Sequence, residues 1–127
     1  MDKVTHFEIP AGDVGRTRIF YSSIFGWKTE EYPVNGETYT MVTTVPVDDD
    51  YMPKESGAIN GGITRASGDV KNPVVTISVS SIDEYLEKIS SLGGRTVRPK
   101  SEVKGMGYYA YFADPDNNVM GLWEDLK

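Results

Sequence analysis

The sequence predicts an α+β fold: two βαβββ repeats forming a curved mixed-sheet cup, with a helix on the outer face of each repeat. Three observations carry this expectation. Strand-like and helix-like stretches follow in the order β-α-β-β-β, then in that order again. An internal likeness supports the duplication: SSIFGWKT at 22–29 resembles SSLGGRT at 90–96, an offset of 68 positions from Ser22 to Ser90. Each half holds one amphipathic helix, enough to cover one sheet face, so the other face must look into a space shared by the halves. Repeat one runs over about 1–66 and repeat two over about 72–127, within a chain whose 127 residues suit one domain.

Each element has its own warrant. Residues 3–9 alternate, with Thr5, Phe7 and Ile9 on one side and Val4, His6 and Glu8 on the other. Asp13 is a natural helix N-cap, and Val14, Thr17, Phe20, Tyr21, Ile24 and Phe25 form an apolar stripe that Gly26 ends. WKTEEY and ETYTMVTTV read as a hairpin about Asn35-Gly36. A polar loop with Asp48-Asp49-Asp50 follows, and AINGGIT reads as a short strand. In the second half Val75, Ile77 and Val79 share one face, and Val74, Thr76 and Ser78 the other. Ser81 and Glu84 make a capping box for a helix whose stripe is Ile82, Tyr85, Leu86, Ile89 and Leu92, with Gly93 at its C-terminal cap. RTVRP, GYYAYFA and NVMGLWE are the closing strands, the last two joined by the turn DPDN.

Composition excludes several functions. There is no cysteine, so no disulfide, thiolate metal site or thiol nucleophile. The 19 acidic against 13 basic side chains give a net charge of −6, which repels nucleic acid, and no basic cluster offsets it. No apolar run approaches bilayer length and the N-terminus lacks the apolar core of a secretory leader, so a cytoplasmic protein without membrane partners is expected. DPDNN opens like a calcium loop, but Val119 stands where a glycine is needed and Asp125 where a glutamate is needed. GDVGRT lacks the lysine ending of a phosphate-binding loop. The loop at 46–57, with Tyr51 and Met52 among charges, has the length of a lid.

HFEIPAGDVGRTRIFYSSIFGWK, PVVTISVSSIDEYLEKISSLGG and YYAYFADPDNNVMGLWE together resemble the vicinal oxygen chelate superfamily of glyoxalases, bleomycin-resistance proteins and extradiol dioxygenases. The resemblance covers nearly the whole chain. It implies a divalent metal held by two histidines and one or two glutamates from the first and last strand of each module. The matching positions here are His6, Gly61, Val74 and Gly121, of which only His6 can bind a metal, and His6 is the single histidine. No cofactor is therefore expected. The resemblance also implies a homodimer.

His6 is the pivotal residue. It reads as a satisfied polar side chain on the cavity wall, as a ligand contact or general base, or as a metal ligand. Glu8 shares its face and either orients the imidazole or meets solvent. Trp123 beside Gly121 makes a flat wall or plugs the cup, and Tyr109 and Tyr111 face the cup if Ala110 and Phe112 face the core. Two functions follow. One is a metal-free small-molecule-binding protein with a cavity lined by His6, Glu8, Thr76, Tyr109, Tyr111 and Trp123. The other is a metal-dependent lyase, isomerase or dioxygenase that uses His6, as ligand or catalytic residue, with Glu124 in an unfamiliar ligand set.

Overall fold

The computed structural model describes residues 1–126. The elements run β1 (Val4–Ala11), α1 (Val14–Phe25), β2 (Lys28–Val34), β3 (Glu37–Thr43), β4 (Asn60–Arg65), β5 (Val74–Ser78), α2 (Ile82–Ser91), β6 (Arg95–Val103), β7 (Gly107–Ala113) and β8 (Val119–Asp125). This is the α+β arrangement of two βαβββ repeats that the sequence predicts. The chain forms two compact units, one of His6–Pro73 and one of Val74 onward joined by Met1–Thr5.

In the first unit the strand order is β2-β3-β4-β1. The pairs β2/β3 and β3/β4 are antiparallel, and β1/β4 is parallel. Asn35 and Gly36 both take positive φ at the hairpin, as the Asn-Gly pair requires. The core is Ala11, Val42 and Ile63, with Phe7, Ile9, Val14 and Trp27 packed against it. Asp13 caps α1 by accepting from the Arg16 amide at 3.0 Å, and Gly26 closes it in the left-handed conformation.

The α1 stripe departs from expectation. No residue of the helix is fully buried, and Ile19, Phe20, Ile24 and Phe25 stay 54–61% exposed. Trp27 is the cause. It stacks on Tyr21 at 5.0 Å and lies within 5.7 Å of Phe7 and Phe25, filling the space beneath the helix. With roughly 100° between successive residues, Val14 and Tyr21 align toward that filling, while Phe20 and Ile24 turn to its flank.

In the second unit the order is β5-β8-β7-β6. β5/β8 is parallel, and β7/β8 and β6/β7 are antiparallel. The N-terminal segment lies along β5: the Ser78 amide donates to the Lys3 carbonyl at 3.0 Å, and the Thr5 and Ser78 hydroxyls share a 2.7 Å hydrogen bond. α2 buries Ile82 against Val79, Ala110 and Leu122, with Tyr85, Leu86 and Ile89 around them. Leu92, expected on that stripe, is 79% exposed because it forms the C-cap and leaves the helical path before Gly93 takes φ 96°. β6 runs on to Val103, longer than RTVRP, through two register irregularities against β7. Asp114 holds the turn before β8 by accepting from the side-chain amide and the backbone amide of Asn118 and from the Asp116 amide, which keeps its carboxyl below the usual range.

Two glycines of β4 are fixed by close approach. A Cβ on Gly61 would sit 2.3 Å from the Phe7 carbonyl oxygen, and backbone cannot yield cheaply. Gly61→Ala is therefore expected to cost about 1–3 kcal/mol and lower the melting temperature by several degrees. Gly12→Ala is the control, since nothing lies within 4 Å of its added carbon.

Candidate functional site

Directly paired residues of neighbouring strands project to one face. In the first unit Phe7, Ile9, Val42 and Ile63 occupy the helix side. The opposite side carries His6, which pairs with Asn60, and Glu8, which pairs with Gly62. Met41 pairs with Gly62 and so joins this face, and Tyr39 lies two residues before Met41 on its strand.

Tyr39 organises this polar face. Its hydroxyl and His6 Nε2 share a 2.9 Å hydrogen bond. The ring lies across Gly62: a Cβ there would sit 1.9 Å from the hydroxyl oxygen and 2.3 Å from the ring carbon bearing it. Burial lowers the His6 pKa to about 4. Burial first, and the Glu8 carboxylate second, push the Tyr39 phenol well above its ordinary value. Both partners are neutral at pH 7, and one proton is shared along the bond. Glu8 is 9% exposed.

Gly61 requires a correction. Expected at the family's ligand position, it pairs with Phe7 and lies on the helix side. Gly62 faces His6 instead. The match of INGGIT to VMGLWE is one residue out of register, which in a strand exchanges the faces. Glu8 pairs with Gly62 as Thr76 pairs with Gly121, and Thr76 stands at the repeat offset from Glu8.

In the second unit the polar face holds Thr76, Gly121 and Tyr111 in one row and Ser78, Trp123 and Tyr109 in the next. Thr76, Tyr109, Tyr111 and Trp123 are thus brought to one face, with Ala110 and Leu122 on the helix side. Tyr109 and Tyr111 meet edge to face at 5.8 Å, and Arg98 lies over Tyr111. The glycine under Trp123 is Gly107, where a Cβ would approach the indole to 2.6 Å, and its Nε1 donates to Asp125 at 2.7 Å. Thr76 fills the space before Gly121, its hydroxyl 2.6 Å from where a Cβ would be. Glu124 is elsewhere: it accepts from the Ile82 amide at 2.7 Å, caps α2, and lies 3.7 Å from Lys100.

Sequence reasoning missed Tyr39 and set Asn60 aside, since only a shift of register would bring it to the site. Tyr39 sits in an alternating strand like any half-buried aromatic, and only its crossing over Gly62 reveals it. Asn60 Oδ1 accepts from the Thr44 amide at 2.8 Å, the Thr44 hydroxyl at 3.1 Å and the Val45 amide at 3.4 Å, tying the long loop to the sheet.

Residues 3–122 match the Glyoxalase/Bleomycin resistance protein/Dioxygenase superfamily, and the chain belongs to that family. CFP32 of Mycobacterium tuberculosis, whose name assigns it provisionally to the glyoxylases, is 24% identical over 121 residues, 92% of this chain and 43% of that protein. The chain thus spans under half the length of that relative. The fosfomycin resistance protein FosX of Listeria innocua is 44% identical over 46 residues, 36% of this chain and 35% of its own. Among solved structures, Streptomyces coelicolor methylmalonyl-CoA epimerase in complex with 2-nitronate-propionyl-CoA has a TM-score of 0.66 at 14% identity, covering 98% of each chain. The Mycobacterium tuberculosis methylmalonyl-CoA epimerase has a TM-score of 0.63 at 14% identity, covering 98% of this chain and 88% of its own.

The family's metal does not fit these residues. Among the described residues no three His, Asp or Glu side chains are grouped to hold an ion. Nε2 of the imidazole is occupied by a phenol, and Gly62 and Gly121 supply no donor. No helix among the described residues is long and apolar enough to cross a membrane.

Two outcomes follow for the His6–Tyr39 pair. Between pH 6.5 and about 4 the unfolded chain takes up a proton at His6 that the folded chain refuses. The stability present above pH 6.5 therefore falls through that window, by roughly 3 kcal/mol in all. Melting temperature measured against pH for the wild type and His6→Gln should show this loss in the wild type alone, and the single imidazole resonance should titrate near pH 4. Gly62→Ala should displace the Tyr39 ring, break the hydrogen bond and move that midpoint back toward 6.5, as followed by the same resonance.

Proposed function

We propose that this protein binds a small molecule without a metal, using the polar sheet faces of its glyoxalase-type repeats, and that it works by sequestration rather than metal-dependent turnover. The observation that carries the reading is the Tyr39–His6 hydrogen bond over Gly62. It gives Nε2 of the one imidazole an internal partner and puts two uncharged hydrogen-bonding groups on that face. Tyr109 and Trp123, both half-buried, add aromatic surface suited to a flat, partly apolar molecule, with the buried Tyr111 ring packed against Tyr109. The likeness to a protein named for fosfomycin resistance supports a small-molecule role. The family's frequent pairing of subunits supports a homodimer, and the acidic composition supports a protein without nucleic-acid partners.

Two measurements test this. Protein purified without chelators and dialysed against nickel, zinc or manganese should retain well under one ion per chain, with no difference in His6→Ala. A panel of neutral planar aromatic compounds should include at least one that raises the melting temperature by a few degrees and changes Trp123 emission in a Trp27→Phe background. Stoichiometric metal lost in His6→Ala, or a panel without any response, would overturn the reading.

A further inference from the structure

The two helices hold equivalent places in the two repeats but present different outer surfaces. On α2 the exposed positions are polar: Asp83, Glu84, Glu87, Lys88, Ser90 and Ser91. On α1 Ile19, Phe20 and Ile24 are each more than half exposed. Successive residues turn by roughly 100°, so Arg16, Phe20 and Ile24 form one row along α1, with Ile19 and Ser23 in the row beside it. A groove of about 400 Å³ adjoins these rows, lined by Ile9, Pro10, Thr17 and Tyr21 together with Arg16 and Phe20. The three apolar side chains leave roughly 350 Å² per copy in water, against the ~800 Å² that each partner buries in a standard interface, and the groove and its polar neighbours are placed to supply the rest.

Charge points to what covers this face. A chain of net charge −6 repels its own copies except where acids are absent. α1 carries no acidic side chain, and no acidic group among the described residues pairs with the Arg16 guanidinium. The last turn of α1 has no basic side chain to complement its negative end. We infer that this face of α1 is a homodimer interface, packed on the same face of a second copy, antiparallel about a twofold axis close to Phe20. A twofold contact needs a self-complementary patch, and this one holds both a projecting ring, Phe20, and the groove that receives its equivalent. Like rows of two helices interdigitate in the commonest class of helix packing. The antiparallel sense carries each Arg16 toward the partner's last helical turn, where the guanidinium supplies the missing cation.

The inference rests on the homodimer part of the reading above and locates its interface. Sedimentation velocity of the full chain between about 1 and 100 μM should show a reversible dimer. Ile24→Glu, at an exposed position, should keep the native circular-dichroism spectrum and weaken the dimer at least about tenfold, because the contact would bury an unpaired charge. Arg16→Glu should weaken it several-fold. Ser90→Glu adds the same charge to the exposed side of α2 and should leave the dimer unchanged. The chain has no cysteine, so Phe20→Cys gives a single thiol close to the axis; on oxidation it should link two chains at least about tenfold faster than Ser90→Cys. A wild-type chain that stays monomeric throughout overturns both the inference and the homodimer reading. A dimer untouched by Ile24→Glu, or one in which Phe20→Cys links no faster than Ser90→Cys, overturns the inference and leaves the homodimer standing.

Discussion

A glycine in the middle of a sheet leaves a hole one side chain wide, and something must occupy it. At Gly62 the occupant is the Tyr39 ring, whose hydroxyl then reaches His6. The chemistry of this face descends from that steric fact. Burial keeps the imidazole uncharged, and the phenol takes its Nε2. A side chain at position 62 and the Tyr39 ring cannot coexist, so the hydrogen bond and the missing donor are one feature.

The second repeat meets an equivalent hole at Gly121 with a smaller group. There the Thr76 hydroxyl fills the space, and Thr76 is the counterpart of Glu8 under the repeat offset. The two repeats thus hold hydroxyl-bearing side chains, one phenolic and one aliphatic, against glycines on the sheet faces away from their helices. Neutral hydroxyls bind a divalent ion poorly and hydrogen-bond neutral organic groups well. The family's architecture is retained, while among the described residues no three His, Asp or Glu side chains are grouped to hold an ion.

Strand alternation settles the fate of the remaining acids. Glu124 follows Trp123 by one position and so takes the opposite face, where it caps α2 and lies near Lys100. Its carboxylate is used to satisfy a helix amide. Glu8, by contrast, is held on the polar face with little exposure and raises the energy of ionising Tyr39. Asn60 links this face to the long loop through the hydrogen bonds its side-chain oxygen accepts.

The element order, the duplication, the Asn35-Gly36 hairpin, the Asp13 and Ser81 caps and the faces of Tyr109 and Tyr111 were all legible in the sequence. They depend on interactions a few residues long or on a strict period of two. Other features depended on partners far along the chain. The helix α1 stripe looked buried by its spacing, but Trp27 had already filled the space beneath it. The two adjacent glycines of β4 looked alike until pairing with Phe7 and Glu8 sent them to opposite faces. Tyr39, 33 positions from His6, carried no local sign of its bond to it. The sequence by itself determined which segments are strand and helix, because backbone periodicity and capping are local. Only the tertiary structure decided which side chains meet on each face, because register and packing are set by residues distant in the chain.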